Sequence, residues 1–168
     1  ITGCSATGFL LRTGEGAYAI IFPILSGFVA GTATNDDAAA GFVGQFIDSG
    51  IVNFGSGIAN HTATNIASIS LTAGDWDVTG GALFVASGAA MTSGVVGVSL
   101  VSATFPANGS LGKSGMSTTA GAAMGFVDNV ATNRFSLSGT TTIYLVGFAD
   151  FSSGTVNIDC QIFARRAR

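Results

Sequence analysis

Charge is what this sequence has least of. Its 168 residues include six Lys and Arg and nine Asp and Glu, 9% of the chain, where an isolated soluble domain carries about 25%. The single lysine is Lys113 and the net charge is −3, so there is no basic stripe to neutralise phosphates, and nucleic acid is excluded as a partner. The single histidine, His61 in "ANHTATN", sits in a polar stretch and reads as a surface or loop residue rather than a general base. No second histidine exists to build a metal site, and Cys4 and Cys160 at opposite ends of the chain fit no ligand spacing. The acidic residues are scattered and offer no paired carboxylates of the kind glycoside hydrolysis needs. No catalytic, cofactor-binding or metal-binding residue is expected.

Long apolar runs are missing as well. Ala17–Ala30 ("AYAIIFPILSGFVA") is shorter than the roughly 20 residues that span a bilayer and is interrupted by Pro23, so membrane insertion is not expected. It lacks the basic start of a signal peptide, and a chain opening on Ile1 without Met fits either processing or the end of a longer polypeptide. Yet the mean hydropathy is +0.57. A chain this apolar, outside a membrane, is expected to bury surface against copies of itself, because obligate interfaces resemble a domain core cut in half.

What is present is a strand grammar. Val156, Ile158, Cys160, Ile162 and Ala164 alternate with Thr155, Asn157, Asp159, Gln161 and Phe163, and "SSG" at Ser152 to Gly154 joins this strand to the previous one as a hairpin. Cys160 on the apolar face reads as a small core residue. The preceding strand, Thr142 to Phe151, is apolar on both faces: Ile143, Leu145, Gly147, Ala149 and Phe151 on one, Tyr144, Val146 and Phe148 on the other. Such a strand needs two covers. "IASISLTAGDWDVTGGALFV" reads as a second hairpin turning through Thr72 to Asp75, with further strands expected at Gly41 to Ile47, Val95 to Phe105 and Asn133 to Ser138. Only "NDDAAAG", capped by Asn35 or Asp36 and stopped by Gly41, could make a helical turn. The expected fold is an all-β antiparallel β-sandwich, jelly-roll-like, over residues 35–168, preceded by an extended N-terminal attachment arm over residues 1–34.

Several motifs tempt a chemical reading. "ANGSLGKS" (Ala107 to Ser114) satisfies a permissive phosphate-loop pattern, and "IYLVGFAD" ending at Asp150 mimics the strand with a magnesium-binding carboxylate. The residues after it, "SGMSTTAGAAMG", are too rich in Gly, Ser and Thr to start the helix that a phosphate loop requires. A low-charge loop over Pro106 to Val130 is the expectation instead. Asp75 and Asp77 flank Trp76 at strand spacing and share one solvated side, without the further oxygens a calcium ion needs. Asn60 and Asn108 stand in N-x-S/T sequons, which carry meaning only in a glycosylating host.

"ATGFLLRTGEGAY" (Ala6 to Tyr18) resembles T-G-F-x-x-R-T-G-x-G-x-Y/A elements of tail-fibre proteins of tailed bacteriophages, through Thr7, Gly8, Phe9, Arg12, Thr13, Gly14, Gly16 and Tyr18. "TATNDDAAAGFVGQF", "SISLTAGDWDVTG" and the ending "TTTIYLVGFADFSSGTVNIDCQIFARRAR" resemble a C-terminal module of phage structural proteins that finishes in R-R-x-R. These patches cover roughly half the chain. Here "RTG" runs into the apolar "IIFPILSGFVAG" rather than another polar shaft repeat, which fits a short arm. The resemblance implies a homotrimeric, β-structured virion protein, a tail-fibre-type module for host attachment. It would contact other virion proteins through residues 1–34 and a host cell-surface glycan or protein through its loops. Alternatives are a capsid decoration or head-fibre protein, and a carbohydrate-active tail module.

In that reading the second cover of the doubly apolar strand is another copy, with Ile143, Leu145 and Phe151 inside and Tyr144, Val146 and Phe148 at the subunit interface, or the two faces exchanged. Arg165 and Arg166 either solubilise the strand end or pair with a neighbour's Asp150 or Asp159 at that interface. The expected surface-binding loop carries Phe105, Lys113 and Phe126.

Overall fold

The computed structural model describes residues 9–13, 17–21, 38–55, 57–88, 90–107, 112–120 and 125–168, and the chain divides into two compact units, Ile1–Asp36 and Asp37–Arg168. In the first, β1 (Phe9–Thr13) and β2 (Ala17–Ile21) pair antiparallel, with Arg12 opposite Tyr18. The other residues of the expected arm lie outside the described ones, as does part of the expected turn at Asn35 to Gly41.

The second unit is all-β, with no helix among the described residues. Its strands are β3 (Phe46–Asp48), β4 (Val52–Phe54), β5 (Thr64–Leu71), β6 (Gly74–Ser87), β7 (Met91–Ser99), β8 (Lys113–Ala120), β9 (Gly125–Leu137), β10 (Thr141–Phe151) and β11 (Thr155–Arg166). They make two antiparallel sheets in a β-sandwich-like arrangement. One runs β5-β10-β7-β8; the other runs β3-β11-β6-β9, with β4 also paired to β11. The alternation seen in the sequence sets the inner faces. Ile143, Leu145 and Ala149 of β10 and Val96 and Val98 of β7 meet Val156, Ile158 and Ile162 of β11 and Val78 and Phe84 of β6 in one buried core.

Both expected hairpins are something else. β5 and β6 lie in opposite sheets, as do β10 and β11, so the short links at Thr72–Ala73 and Ser152–Gly154 carry the chain over the core rather than back alongside itself. Periodicity reveals which face of a strand is apolar, but it does not say whether the next strand lies beside it or behind it. The pairings that do form are nested: β7 with β8, β6 with β9, β5 with β10, and β3 and β4 with β11.

The expected loop at Pro106 to Val130 is likewise overturned, since residues 113–120 and 125–137 are strands β8 and β9. Ser, Thr and Gly in "KSGMSTTA" hide a strand that needs no large side chains because it lies at the sheet edge beyond β7. The loop that remains begins at Leu100, since β7 ends at Ser99 rather than Phe105.

Arg166 closes the sandwich at the end of β11. It is 6% exposed, so it is no solubilising end group. Its Nε donates to Gln45 Oε1 at 3.1 Å, Nη1 to the Ala73 carbonyl at 2.8 Å and Nη2 to Thr72 Oγ1 at 2.6 Å. The guanidinium carbon lies 4.3 Å from the centroid of the Trp76 ring, which is fully buried and donates its own Nε1–H to the Thr72 carbonyl at 2.9 Å. Gly74, at φ +133°, is required here, because a Cβ would run into Arg166 Nη1. The buried cation is thus held by neutral acceptors and a ring face, which ties β11 to the β5–β6 corner and to the segment before β3.

Arg166→Ala strands those acceptors and is expected to lower unfolding free energy by about 3 kcal/mol. Arg166→Lys keeps the charge but not the planar fork and should cost about half as much. Urea denaturation of the two variants beside the parent checks this, and a cost near zero for Arg166→Ala would refute the clamp.

Candidate functional site

The outer face of the β5-β10-β7-β8 sheet holds most of the residues singled out in the sequence. Tyr144, Val146 and Phe148 point to this side of β10, opposite Ser99, Gly97 and Val95 of β7. Val146 has no exposed surface even in the single chain. It lies between Asn65 of β5 and Gly97 of β7, and both hold the segment after β7 down over it. Asn65 Nδ2 donates to Ser102 Oγ at 2.7 Å, and its Oδ1 accepts from the Ala103 amide at 2.6 Å. On the other side, a Cβ on Gly97 would stand 2.8 Å from the Phe105 ring, so the missing side chain lets that ring settle on the sheet. Lys113 Nζ in turn sits 5.0 Å from the ring centroid.

A second loop covers the far end of β10. Asn60 Nδ2 donates to the Phe151 carbonyl at 2.7 Å and its Oδ1 accepts from the Phe151 amide at 2.9 Å, while the His61 amide donates to the Ala149 carbonyl. The His61 ring stands edge-on to Phe148 at 6.4 Å and its Nε2 is 3.2 Å from Asp150 Oδ1. His61 and Ala103, at φ 56° and 49°, are the non-glycine residues in left-handed conformation among those described, one in each covering loop. The second cover over Val146 and the far end of β10 is therefore the chain's own loops, and Tyr144 and Phe148 are left half-buried.

The candidate binding residues separate. Phe105 and Lys113 meet on this outer face, but Phe126 belongs to β9 in the opposite sheet, stacked on Phe84 with ring centroids 4.8 Å apart and packed against the core. Arg165 is exposed on the outer side of β11, whereas Arg166 points inward.

The chemistry available is limited. Among the described residues no group of three or more His, Cys, Asp and Glu could hold a metal. Lys113 opens a strand rather than a helix, so the phosphate-loop context is absent, although residues 108–111 of that motif lie outside the described ones. Asp75 and Asp77 do share the outer side of β6. A Ser136 hydrogen bond and then Arg168 hold the Asp75 carboxyl below its usual range, and Asp77 accepts from Arg134 Nε at 3.0 Å, which raises the guanidinium's pKa. Asp128 is buried on β9; its Oδ1 accepts from Ser114 Oγ at 2.6 Å and its Oδ2 has no partner among the described residues. The Cys160 thiol donates to the Ile66 carbonyl across the core, and burial pushes it up to about 11, well away from a nucleophile's range. The chain matches no protein-family model and no curated protein.

Two predictions come from this geometry. Phe105→Ala should uncover Val146 and cost about 1–2 kcal/mol of stability, read by urea denaturation; no loss would mean that the ring is not a cover. For Cys160 the folded pKa is raised, so its contribution to stability is complete below pH 9.0 and is lost as pH climbs toward about 11. Stability measured between pH 8 and 11 should fall less steeply for Cys160→Ala than for the parent, and parallel curves would contradict the assignment.

Proposed function

We propose that this chain is a structural, non-enzymatic virion protein of a tailed bacteriophage, a tail-fibre-type module that folds as a jelly roll, assembles as a homotrimer and serves host attachment. The observation that carries the reading is the strand order. A jelly roll is a long antiparallel hairpin wrapped so that its nested pairs divide between two sheets. The pairs 7·8, 6·9, 5·10 and 3/4·11, divided into β5-β10-β7-β8 and β3-β11-β6-β9, support that reading. The resemblance of Ala6 to Tyr18 and of the C-terminal stretch to phage fibre modules supplies the virion context. A chain with few charges and loops carried on a β scaffold supports a protein that works by contact. Residues 1–34 would join it to other virion proteins, and its exposed loops would meet a host glycan or protein.

Native mass spectrometry of the full chain should give three copies, and a stable monomer at micromolar concentration would overturn the assembly. Antibody raised against the purified protein should label the tails of particles released from the host that makes it. Label confined to heads would overturn the tail assignment, and unlabelled particles the virion reading itself.

A further inference from the structure

The other outer face, that of β3-β11-β6-β9, leaves Val127 and Arg165 exposed and carries charge at both ends. Asp159, Gln161, Phe163 and Arg165 alternate outward along β11, while Ile158, Cys160, Ile162, Ala164 and Arg166 point inward. Two cross-strand rows define its ends. At one, Arg165 lies beside Asp77, which Arg134 already engages; the exposed Asp48, which accepts from Gln161 Nε2 and the Gly50 amide, lies one row further in, beside Phe163. At the other, Asp159 lies beside Leu83 and Leu83 beside Val127. Among the described residues neither Asp159 nor Arg165 has a hydrogen-bond or ion-pair partner for its side chain. Six residues of strand separate them by about 20 Å.

Between these ends the face is grooved and mixed, with Ile51, Leu83, Val127 and Phe163 set among Asp48, Thr79, Asn129 and Gln161. A depression of about 280 Å³ is lined by Ile51, Gly81, Leu83, Val127, Asn129 and Phe163. Ile51, from the link between β3 and β4, is 81% exposed at its margin, and Val127 is 63% exposed. In a chain with so few charges, exposed apolar side chains between a cation and a carboxylate that both lack partners among the described residues are costly to leave in water.

We propose that this face binds a second copy of the chain, with Arg165 of one copy meeting Asp159 of the next across the Ile51–Val127–Phe163 patch. Copies set around an axis bring the Arg165 end of each beside the Asp159 end of the next, a head-to-tail contact from which a ring can close. The occupant is a second copy because the face carries both halves of the ion pair and because the opposite sheet has already covered Val146 with its own loops. This inference rests on the self-assembly part of the proposed function and moves its contact surface from Tyr144 and Phe148 to β11, β6 and β9.

The test is charge reversal in the full chain, read by sedimentation velocity with thermal unfolding as the folding control. Arg165→Glu and Asp159→Arg should each weaken association by about tenfold or more, and the double variant should recover most of it. Val127→Lys, among the exposed apolar side chains in the Asp159 row, should weaken association without recovery by either reversal and gives an independent reading should Arg165→Glu fold poorly. A parent that assembles while Asp159→Arg and Val127→Lys leave it unaffected overturns this face alone. A double variant no better than the worse single overturns the pairing, and a monomeric parent overturns the assembly reading with it.

Discussion

Every strand from β5 to β10, except β7, is followed by a strand in the opposite sheet, and this constraint decides most of what the side chains must do. A strand in a simple hairpin meets its sequence neighbour edge to edge. Here the neighbour lies behind, so each short link must climb across the core with its backbone polar groups satisfied on the way. Arg166 does this for the β5–β6 corner. It donates to Ala73 and Thr72, stacks on Trp76, and in the same stroke fixes the end of β11. A carboxylate partner would have demanded a second desolvation. Neutral acceptors and a ring face hold the cation with one.

The inner faces were legible in the sequence, because Ile143, Leu145, Val156, Ile158, Cys160 and Ile162 obey a period of two, and the structure buries all of them. What periodicity could not convey was the identity of each strand's lateral partner, which depends on residues distant in the chain. β8 was missed for a different reason: an edge strand of Ser, Thr and Gly has no alternating hydrophobic signal, and its evidence is the pairing with β7. Arg166 was missed because terminal arginines read as solvated. The available hint was its inward parity on β11, in step with Ile162 and Ala164.

The doubly apolar β10 shows how local exceptions resolve a global demand. The register shift between Leu145 and Val146 is taken up by β5, where Ile66 and Ala67 are consecutively buried; β10 keeps its alternation, and Leu145, Val146 and Gly147 are all buried because Val146 is covered from the outer side. Phe105 and His61 then reach back over the outer face, each from a loop that holds a non-glycine residue at positive φ. Such conformations persist only where surrounding contacts over-determine them. Asn65 and Asn60, each bonding the loop or strand it faces through both ends of its amide, supply those contacts.

The few charges are distributed accordingly. Arg168 is engaged by Asp75, Arg134 by Asp77, and His61 lies against Asp150, all within one chain. Exposed pairs of this kind add little stability, but they remove the charges from use elsewhere. On the β3-β11-β6-β9 face that leaves Arg165 and Asp159 at opposite ends of a groove, with Asp48 between them held by Gln161 and the Gly50 amide. Arg165 at one end and Asp159 at the other give the face a direction, and like ends brought together repel. Direction, more than affinity, is what so sparse a charge pattern is able to specify.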